Sequence, residues 1–162
     1  DAADVLMRMI GADATYIIEY DVDPYFVEGL AIGGGDYVGQ FNRGNFIRSM
    51  PQWKANLFAN YALGEHNFRV VMRHIDSYKD ERAPAARGGV GEKIDSQTTF
   101  DLFYNLQTEM IGGFELGLSV VNVTDEDPPF AAFDVNYDPY THNPFGRTFK
   151  ISLTKRFGGS GN

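Results

Sequence analysis

Cysteine is missing from this sequence of 162 residues. A disulfide framework, a zinc knuckle and a thiol nucleophile are therefore excluded. Basic residues are scarce, since 14 Lys and Arg stand against 22 Asp and Glu and give a net charge of −8. This balance argues against a nucleic-acid partner, because phosphate binding requires a basic surface. No stretch approaches the roughly 18 consecutive apolar residues of a spanning helix. A transmembrane helix is excluded, but a transmembrane barrel is not, because its strands alternate apolar with polar residues.

Aromatic residues and glycine are abundant. Aromatics make up 14% of the chain, with 13 Phe and 9 Tyr, and there are 18 Gly. This mixture favours strands and turns over helices, because aromatic side chains suit a pleated surface. The chain begins at Asp1 without an initiator Met or a signal segment, so we expect a piece of a longer protein or a processed product. Residues 158–162 are expected to be a flexible tail or a cloning remnant.

Apolar and polar residues alternate with a period of two in six segments of strand length. The predicted strands span residues 6–22, 52–63, 67–78, 97–108, 114–124 and 146–157. The second strand shows the pattern most clearly. One of its faces carries Trp53, Ala55, Leu57, Ala59, Tyr61 and Leu63, and the other carries Lys54, Asn56, Phe58 and Asn60. No helix would keep the first set on one side. The sequence therefore predicts an all-β fold, an antiparallel meander.

The predicted connections between these strands alternate in length. Tight turns are expected around Gly64 and around Gly112-Gly113, whereas residues 23–51, 79–96 and 125–145 form long loops. Long structureless loops are uncommon inside compact soluble domains. A meander with short turns at one rim and long loops at the other is typical of a bacterial outer-membrane barrel. Strands of about 11 residues also match the roughly 9–11 that a tilted strand needs to cross the hydrocarbon layer.

The two faces of the predicted sheet differ in character. Aromatic residues concentrate near strand ends on the apolar face: Trp53, Tyr61, Tyr78, Phe100, Phe114 and Phe157. The opposite face carries Lys54, Asn56, Asn60, Arg69, Arg73, Asp101, Asn105, Gln107, Glu115, Lys150 and Arg156. In a barrel the apolar face would meet lipid, whereas in a soluble sandwich it would meet a second sheet. Periodicity alone does not separate these interpretations. Strand length, loop asymmetry and the aromatic strand ends favour the membrane.

Three passages, in this order and spacing, resemble the end of a TonB-dependent outer-membrane receptor. Residues 41–46 (FNRGNF) with 49–54 (SMPQWK) are similar to a loop that leads into a strand through Pro, an aromatic and a basic residue. Residues 121–130 (VNVTDEDPPF) are similar to the exit of the penultimate strand, and residues 146–157 to the last strand, which ends in Phe. The resemblance covers residues 15–157. Two features depart from the family, since five residues follow Phe157 and residues 1–11 match nothing characteristic.

The resemblance implies that the chain forms the last six strands of a large, 22-stranded transmembrane β-barrel with an N-terminal plug domain inside. It implies a place in the bacterial outer membrane and energised uptake of a scarce nutrient, such as an iron–siderophore complex, cobalamin or an oligosaccharide. The implied partners are outer-membrane lipid, the plug and remaining strands of the same protein, TonB through the plug, and the small ligand. Such a receptor is a carrier, so no enzyme activity is expected. The last strand would also be read by the barrel-assembly machinery through Phe149, Ile151, Leu153 and Phe157.

Ligand contacts are expected in the long loops. The candidates are Phe130, Tyr137, Tyr140, His142 and Arg82. Tyrosine suits such a site because it offers a flat apolar face together with a hydroxyl group. The basic side chain of Arg82 suits an anionic ligand or lipopolysaccharide. The alternative is that these are ordinary external loops, held by their own aromatic and proline residues and otherwise solvated.

No metal, cofactor or catalytic residue is expected. The three histidines, His66, His74 and His142, lack metal-ligand spacing, and nothing resembles a nucleophile elbow or a catalytic triad. Two other functions stay open. One is a secreted β-sandwich that binds carbohydrate, with Trp53 and loop tyrosines as stacking platforms. The other is an outer-membrane barrel enzyme, for which the sequence shows no cluster of catalytic side chains.

Overall fold

The computed structural model describes residues 6–42, 48–108 and 113–155, and within these ranges the protein is built from β-strands without an α-helix. The strands are β1 (Leu6–Tyr16), β2 (Asp21–Val22), β3 (Tyr25–Val27), β4 (Leu30–Ile32), β5 (Gly35–Asp36), β6 (Trp53–Leu63), β7 (His66–Ile75), β8 (Tyr78–Lys79), β9 (Lys93–Ile94), β10 (Gln97–Thr108), β11 (Phe114–Val121) and β12 (Thr148–Lys155). A 3₁₀ turn, Pro84–Arg87, lies between β8 and β9.

Six long strands form one antiparallel sheet in the order β1-β6-β7-β10-β11-β12. Each long strand pairs with the next long strand along the chain, so the sheet is a meander. The predicted all-β, antiparallel class is therefore confirmed. Within the described residues the sheet does not close into a barrel, because β1 and β12 are edge strands that each pair on one side only.

The connections in this sheet alternate in length as the sequence predicts. Gly64, in the left-handed region at φ 54°, makes the tight turn from β6 to β7. Residues 109–112, in the predicted turn between β10 and β11, lie outside the described residues. Long connections join β1 to β6, β7 to β10 and β11 to β12. In a meander with this order, all three long connections lie at the same end of the sheet. We refer to them as the first, second and third connections.

Residues that pair directly across neighbouring strands share a face of the sheet. On one face, Tyr61 pairs with Phe68 and Phe68 with Tyr104. On the other face, Asn60 pairs with Arg69. The predicted apolar and polar faces are therefore continuous across the strands. Many of the large side chains on the apolar face are exposed, among them Leu57, Val70, Leu102, Leu118 and Ile151.

Two strands end earlier than their alternation predicts, because the residues that follow them pair with other short strands. β1 ends at Tyr16 rather than at residue 22, since Asp21 pairs with Asp36 in a separate two-stranded sheet. β7 ends at Ile75 rather than at residue 78, since Tyr78 pairs with Ile94. The prediction that Tyr78 lies at the end of the apolar face is therefore wrong, and Tyr78 is buried in the loops instead.

The last two strands are also shorter than predicted. β11 ends at Val121, because Asn122 takes a left-handed φ of 53° and starts a turn. The Asn122 side chain fixes this turn, since its Nδ2 donates to the Glu126 carbonyl and its Oδ1 accepts from the Glu126 N–H. β12 begins at Thr148 rather than at residue 146. Residues 156–162, with Phe157 and the predicted tail, lie outside the described residues.

Phe58 is a large apolar residue on the polar face, and a glycine makes room for it. It pairs with Gly11 on β1, and a Cβ at Gly11 would overlap the Phe58 ring. The guanidinium of Arg69 stacks on the same ring, with its central carbon 4.6 Å from the ring centroid. The missing side chain at Gly11 therefore allows an aromatic–cation stack on the polar face.

Candidate functional site

The three long connections share a small hydrophobic core. Phe41 belongs to the first connection, Tyr78 and Ile94 to the second, and Ala131 to the third, and all four are buried. The ring centroids of Phe41 and Tyr78 are 6.5 Å apart, and Phe133 packs edge-on against Phe41 at 5.9 Å. We call these five residues the loop core. Because burial of apolar surface is favourable, the loop core holds the three connections together.

Arg82 is bound within this cluster of connections. Its Nε and Nη2 atoms donate to the two carboxylate oxygens of Asp80 at 2.8 and 2.6 Å. Nη2 also donates to the Ala132 carbonyl at 2.6 Å, and the guanidinium lies over the Phe41 ring. The hydrogen bonds with Asp80 raise the pKa of Arg82. An anionic ligand at Arg82 would therefore have to compete with Asp80.

A buried polar network lies beside the loop core. Its members are Tyr78, Gln97, Asp138 and His142, none more than 7% exposed. The Tyr78 hydroxyl donates to Asp138 Oδ2 at 2.8 Å. His142 bridges two partners, with Nε2 3.1 Å from the Tyr78 hydroxyl and Nδ1 2.9 Å from the Gln97 amide. The network therefore ties the third connection to the second connection and to the first residue of β10.

His142 is neutral in this network at physiological pH. Burial disfavours the imidazolium and lowers the pKa of His142 to about 4, against the opposing effect of the Asp138 carboxylate. Burial and the charge of Asp138 also raise the pKa of the Tyr78 hydroxyl, so it keeps its proton. Since Tyr78 gives its only hydroxyl hydrogen to Asp138, its oxygen accepts from His142 Nε2. The neutral imidazole then has Nδ1 as an acceptor, so it bonds to Gln97 only when the amide presents its NH₂ group in place of Oε1. The four side chains form a chain of hydrogen bonds that stabilises the packing of the second and third connections.

The predicted ligand-contact residues lie in different environments. Phe130 and Tyr140 are 52% and 63% exposed, and contact of these rings with a ligand stays a prediction. Tyr137 is half-buried. His142 is only 3% exposed, and both of its ring nitrogens have partners. Its side chain does not face solvent in this structure, and its contact with a ligand stays a prediction.

A second polar link joins the sheet to the third connection. Asp101, on the polar face of β10, is 1% exposed. Its Oδ1 accepts the Asn122 backbone N–H at 3.0 Å, and its Oδ2 lies 2.7 Å from Arg73 Nη2. Charge-assisted contacts of this kind are stronger than neutral hydrogen bonds. A buried carboxylate therefore fixes the point at which the chain leaves β11.

The predicted assembly residues of the last strand lie on its apolar face. Phe149, Ile151 and Leu153 pair with Val120, Leu118 and Leu116 on β11. Their side chains are exposed, because β12 is an edge strand and nothing described covers this face. A role in assembly stays a prediction.

Sequence analysis missed Gln97 and Asp138 as members of the buried network. Their partners are far away along the chain, 45 positions from Gln97 to His142 and 60 from Asp138 to Tyr78. Period-two alternation reports only on neighbouring residues. No local pattern could therefore have paired these side chains.

No helix of the described residues is long and apolar enough to span a membrane. The described residues also contain no group of three or more His, Cys, Asp and Glu that could hold a metal ion. Comparisons with protein-family models, with curated proteins and with solved structures found no match.

Proposed function

We propose that this chain is the C-terminal part of the β-barrel of a bacterial outer-membrane receptor that takes up a scarce nutrient with energy delivered through TonB. The six long strands would be the last six of a 22-stranded barrel. The cargo would be an iron–siderophore complex, cobalamin or an oligosaccharide. The edges of β1 and β12 would pair with the preceding and the first strand of the same barrel, since unpaired edges are costly in lipid.

The pattern of side chains on the apolar face carries this proposal. Near the short turns, Tyr61, Phe68 and Tyr104 form an aromatic row, and the ring centroids of Phe68 and Tyr104 are 4.8 Å apart. Near the long connections, Tyr16 pairs with Trp53. Aromatic belts of this kind flank the lipid-facing band of membrane barrels at both interfaces.

The spacing of the two aromatic rows fits a bilayer. Trp53 and Tyr61 are eight residues apart on β6, which is about 27 Å along a strand. A strand tilted by roughly 40° would span about 21 Å of membrane depth over that length, close to the apolar band of roughly 25 Å. The side chains between the rows are mostly apolar, among them Ala12, Leu57, Ala59, Val70, Met72, Phe100 and Leu102. Two polar residues, His74 and Thr98, also lie there and hydrogen-bond to each other at 2.8 Å.

The connections support the same proposal. The short turns would lie at the periplasmic rim, and the three long connections, joined by the loop core, would lie outside the cell. The polar face, with Arg69 and Arg73, would then line the lumen. Phe130 and Tyr140, on the third connection, would lie on the extracellular side, where a ligand first contacts the receptor.

The test uses the absence of cysteine from this chain. Single cysteines replace residues 99, 100, 102, 103 and 104 of β10 in the full-length protein, freed of any other cysteine and reconstituted in vesicles. Each carries a spin label, and its collision rates with oxygen, which dissolves in lipid, and with a water-soluble nickel chelate are compared. We expect oxygen to dominate at positions 100, 102 and 104, and the chelate at positions 99 and 103.

A protein that is soluble without detergent would refute the proposal, as would labels that show no alternation between lipid and water. Either result would favour the sandwich-type binding module, in which the apolar face is buried against a second sheet.

A further inference from the structure

Cations without acidic partners lie on the polar face of the sheet. Each described carboxylate of this face is engaged. The pairs are Asp13 with Asn56 at 2.8 Å, Glu115 with Asn105 at 2.9 Å, and Asp101 with Arg73 at 2.7 Å. Arg69 and Lys150 form no ion pair with any described residue. Two cationic side chains and the Glu115 carboxylate line one cavity of this face, which leaves it with an excess positive charge in a chain whose net charge is −8.

Arg69 and Lys150 line one cavity of about 530 Å³. They lie on the same row across the sheet, linked by the pairs Arg69–Phe103, Phe103–Ser119 and Ser119–Lys150. Three strand spacings separate them, which puts their Cα atoms about 14 Å apart. An elongated ligand with several binding groups suits this separation better than a small inorganic anion.

The stack on Phe58, on the β6 side of Arg69, fixes the plane of the Arg69 guanidinium. The guanidinium lies over the Phe58 ring, with its carbon 4.6 Å from the centroid. Stacking uses the flat face of the guanidinium, so its N–H edge remains available. That edge matches the two oxygens of a carboxylate in a bidentate contact.

Polar groups line the cavity beside the two cations, among them the Glu115 carboxylate. Asn60, Asn67, Ser119 and Ser152 line the same cavity. Asn105 also lines it, and its Nδ2 donates to Glu115, which fixes the orientation of the amide. The Asn105 Oδ1 atom is buried and accepts no hydrogen bond from any described residue. This oxygen is not solvent-accessible, so the groups that can reach ligand hydroxyls are the Asn60 and Asn67 amides and the two serines.

We propose that this cavity is a binding subsite for a short acidic oligosaccharide. Arg69 and Lys150 bind carboxylates on the sugar rings at the two ends of the saccharide, and the amide and serine side chains bind hydroxyl groups. Phe103, which lines the cavity beside Arg69, offers an apolar ring for the C–H face of a sugar. This proposal deepens the proposed function, on which it rests, by naming an acidic saccharide as the cargo.

Matched ligands isolate the role of the cations. Isothermal titration of the full-length protein in detergent micelles compares a galacturonate trimer with a galactose trimer, which differs from it in lacking carboxylates. We expect the acidic trimer to bind at least tenfold more tightly, because each charge-assisted hydrogen bond contributes about tenfold or more. Its affinity should fall as salt rises.

Variants locate the binding on this face. Arg69→Gln and Lys150→Gln should each weaken the acidic trimer by about tenfold to a hundredfold. Both side chains are exposed and form no ion pair with the described residues, so the fold should persist. Arg8→Gln is the control, because Arg8 lies on the apolar face over Tyr61. It should leave the affinity unchanged.

The inference is overturned if the two trimers bind equally, or if the Arg69 and Lys150 variants bind as the parent protein does. It is also overturned if only a glutamate oligomer of the same charge binds, since the occupant would then be an acidic polypeptide segment. The spin-label experiment decides the membrane question separately. Saccharide binding without lipid contact would refute the proposed receptor, and with it the saccharide's role as transported cargo, although the binding site itself would be shown.

Discussion

An arginine series on β6 tests whether lipid covers the apolar face. Leu57 lies midway between Trp53 and Tyr61 on that face and is 45% exposed. In a bilayer it would sit near the midplane, where an arginine on the lipid face of a barrel costs about 2–4 kcal/mol. Leu57→Arg should therefore lower the folding equilibrium constant by roughly 30- to 1,000-fold. Leu63→Arg, at the short-turn end, should cost only about 0–1 kcal/mol.

The matched control is Asn60→Arg, on the polar face of the same strand. It adds the same side chain toward the aqueous side, directly opposite Arg69, and should cost no more than about 1 kcal/mol through like-charge repulsion. The assay is reversible urea unfolding of the full-length protein in lipid vesicles, followed by intrinsic fluorescence. Equal costs for Leu57→Arg and Asn60→Arg would refute lipid contact, since a lipid-facing arginine near the midplane must cost more than one on the polar face.

Three further predictions concern the connections. Tyr78→Phe removes the hydroxyl that joins Asp138 and His142 and should cost about 1–3 kcal/mol in urea unfolding; Tyr140→Phe, at an exposed ring, is the neutral control. Because burial lowers the pKa of His142 to about 4 from an ordinary 6.5, the unfolded state binds the extra proton first. Amide exchange protection in the third connection should therefore be full above about pH 6.5 and fall as pH drops toward 4; unchanged protection over that window would contradict a neutral, buried His142. Glu28 has a left-handed φ of 50° in the tight turn between β3 and β4. Glu28→Gly should relieve about 1 kcal/mol of backbone strain and so slow the amide exchange of this hairpin. Faster exchange would contradict this prediction.

The sequence predicted the bounds of a long strand closely where one face of the strand is apolar and the other is polar along its whole length. β10 was predicted over residues 97–108, and it spans Gln97–Thr108. β6 begins one residue later than predicted. Alternation is a local property, so a strand with one apolar and one polar face reveals both its bounds and its register.

Strand ends and the buried network could not be predicted because distant partners decide them. Tyr78 is in phase with the alternation of β7, yet it pairs with Ile94 and enters the loop core. The sequence singled out His142 as a candidate ligand contact, which stays a prediction. It gave no sign that Tyr78 and Gln97, from two other parts of the chain, would enclose the imidazole. Such contacts follow from packing of whole connections, which no short motif encodes.

The loop core has a consequence for how this end of the protein can move. Phe41, Tyr78 and Ala131 come from three different connections and pack into one cluster, while Arg82 bridges two of them through Ala132. A ligand that displaced one connection would have to separate it from this shared cluster or carry the other two along. Opening should therefore be concerted, with the three connections acting as a single lid whose hinges are the ends of six strands.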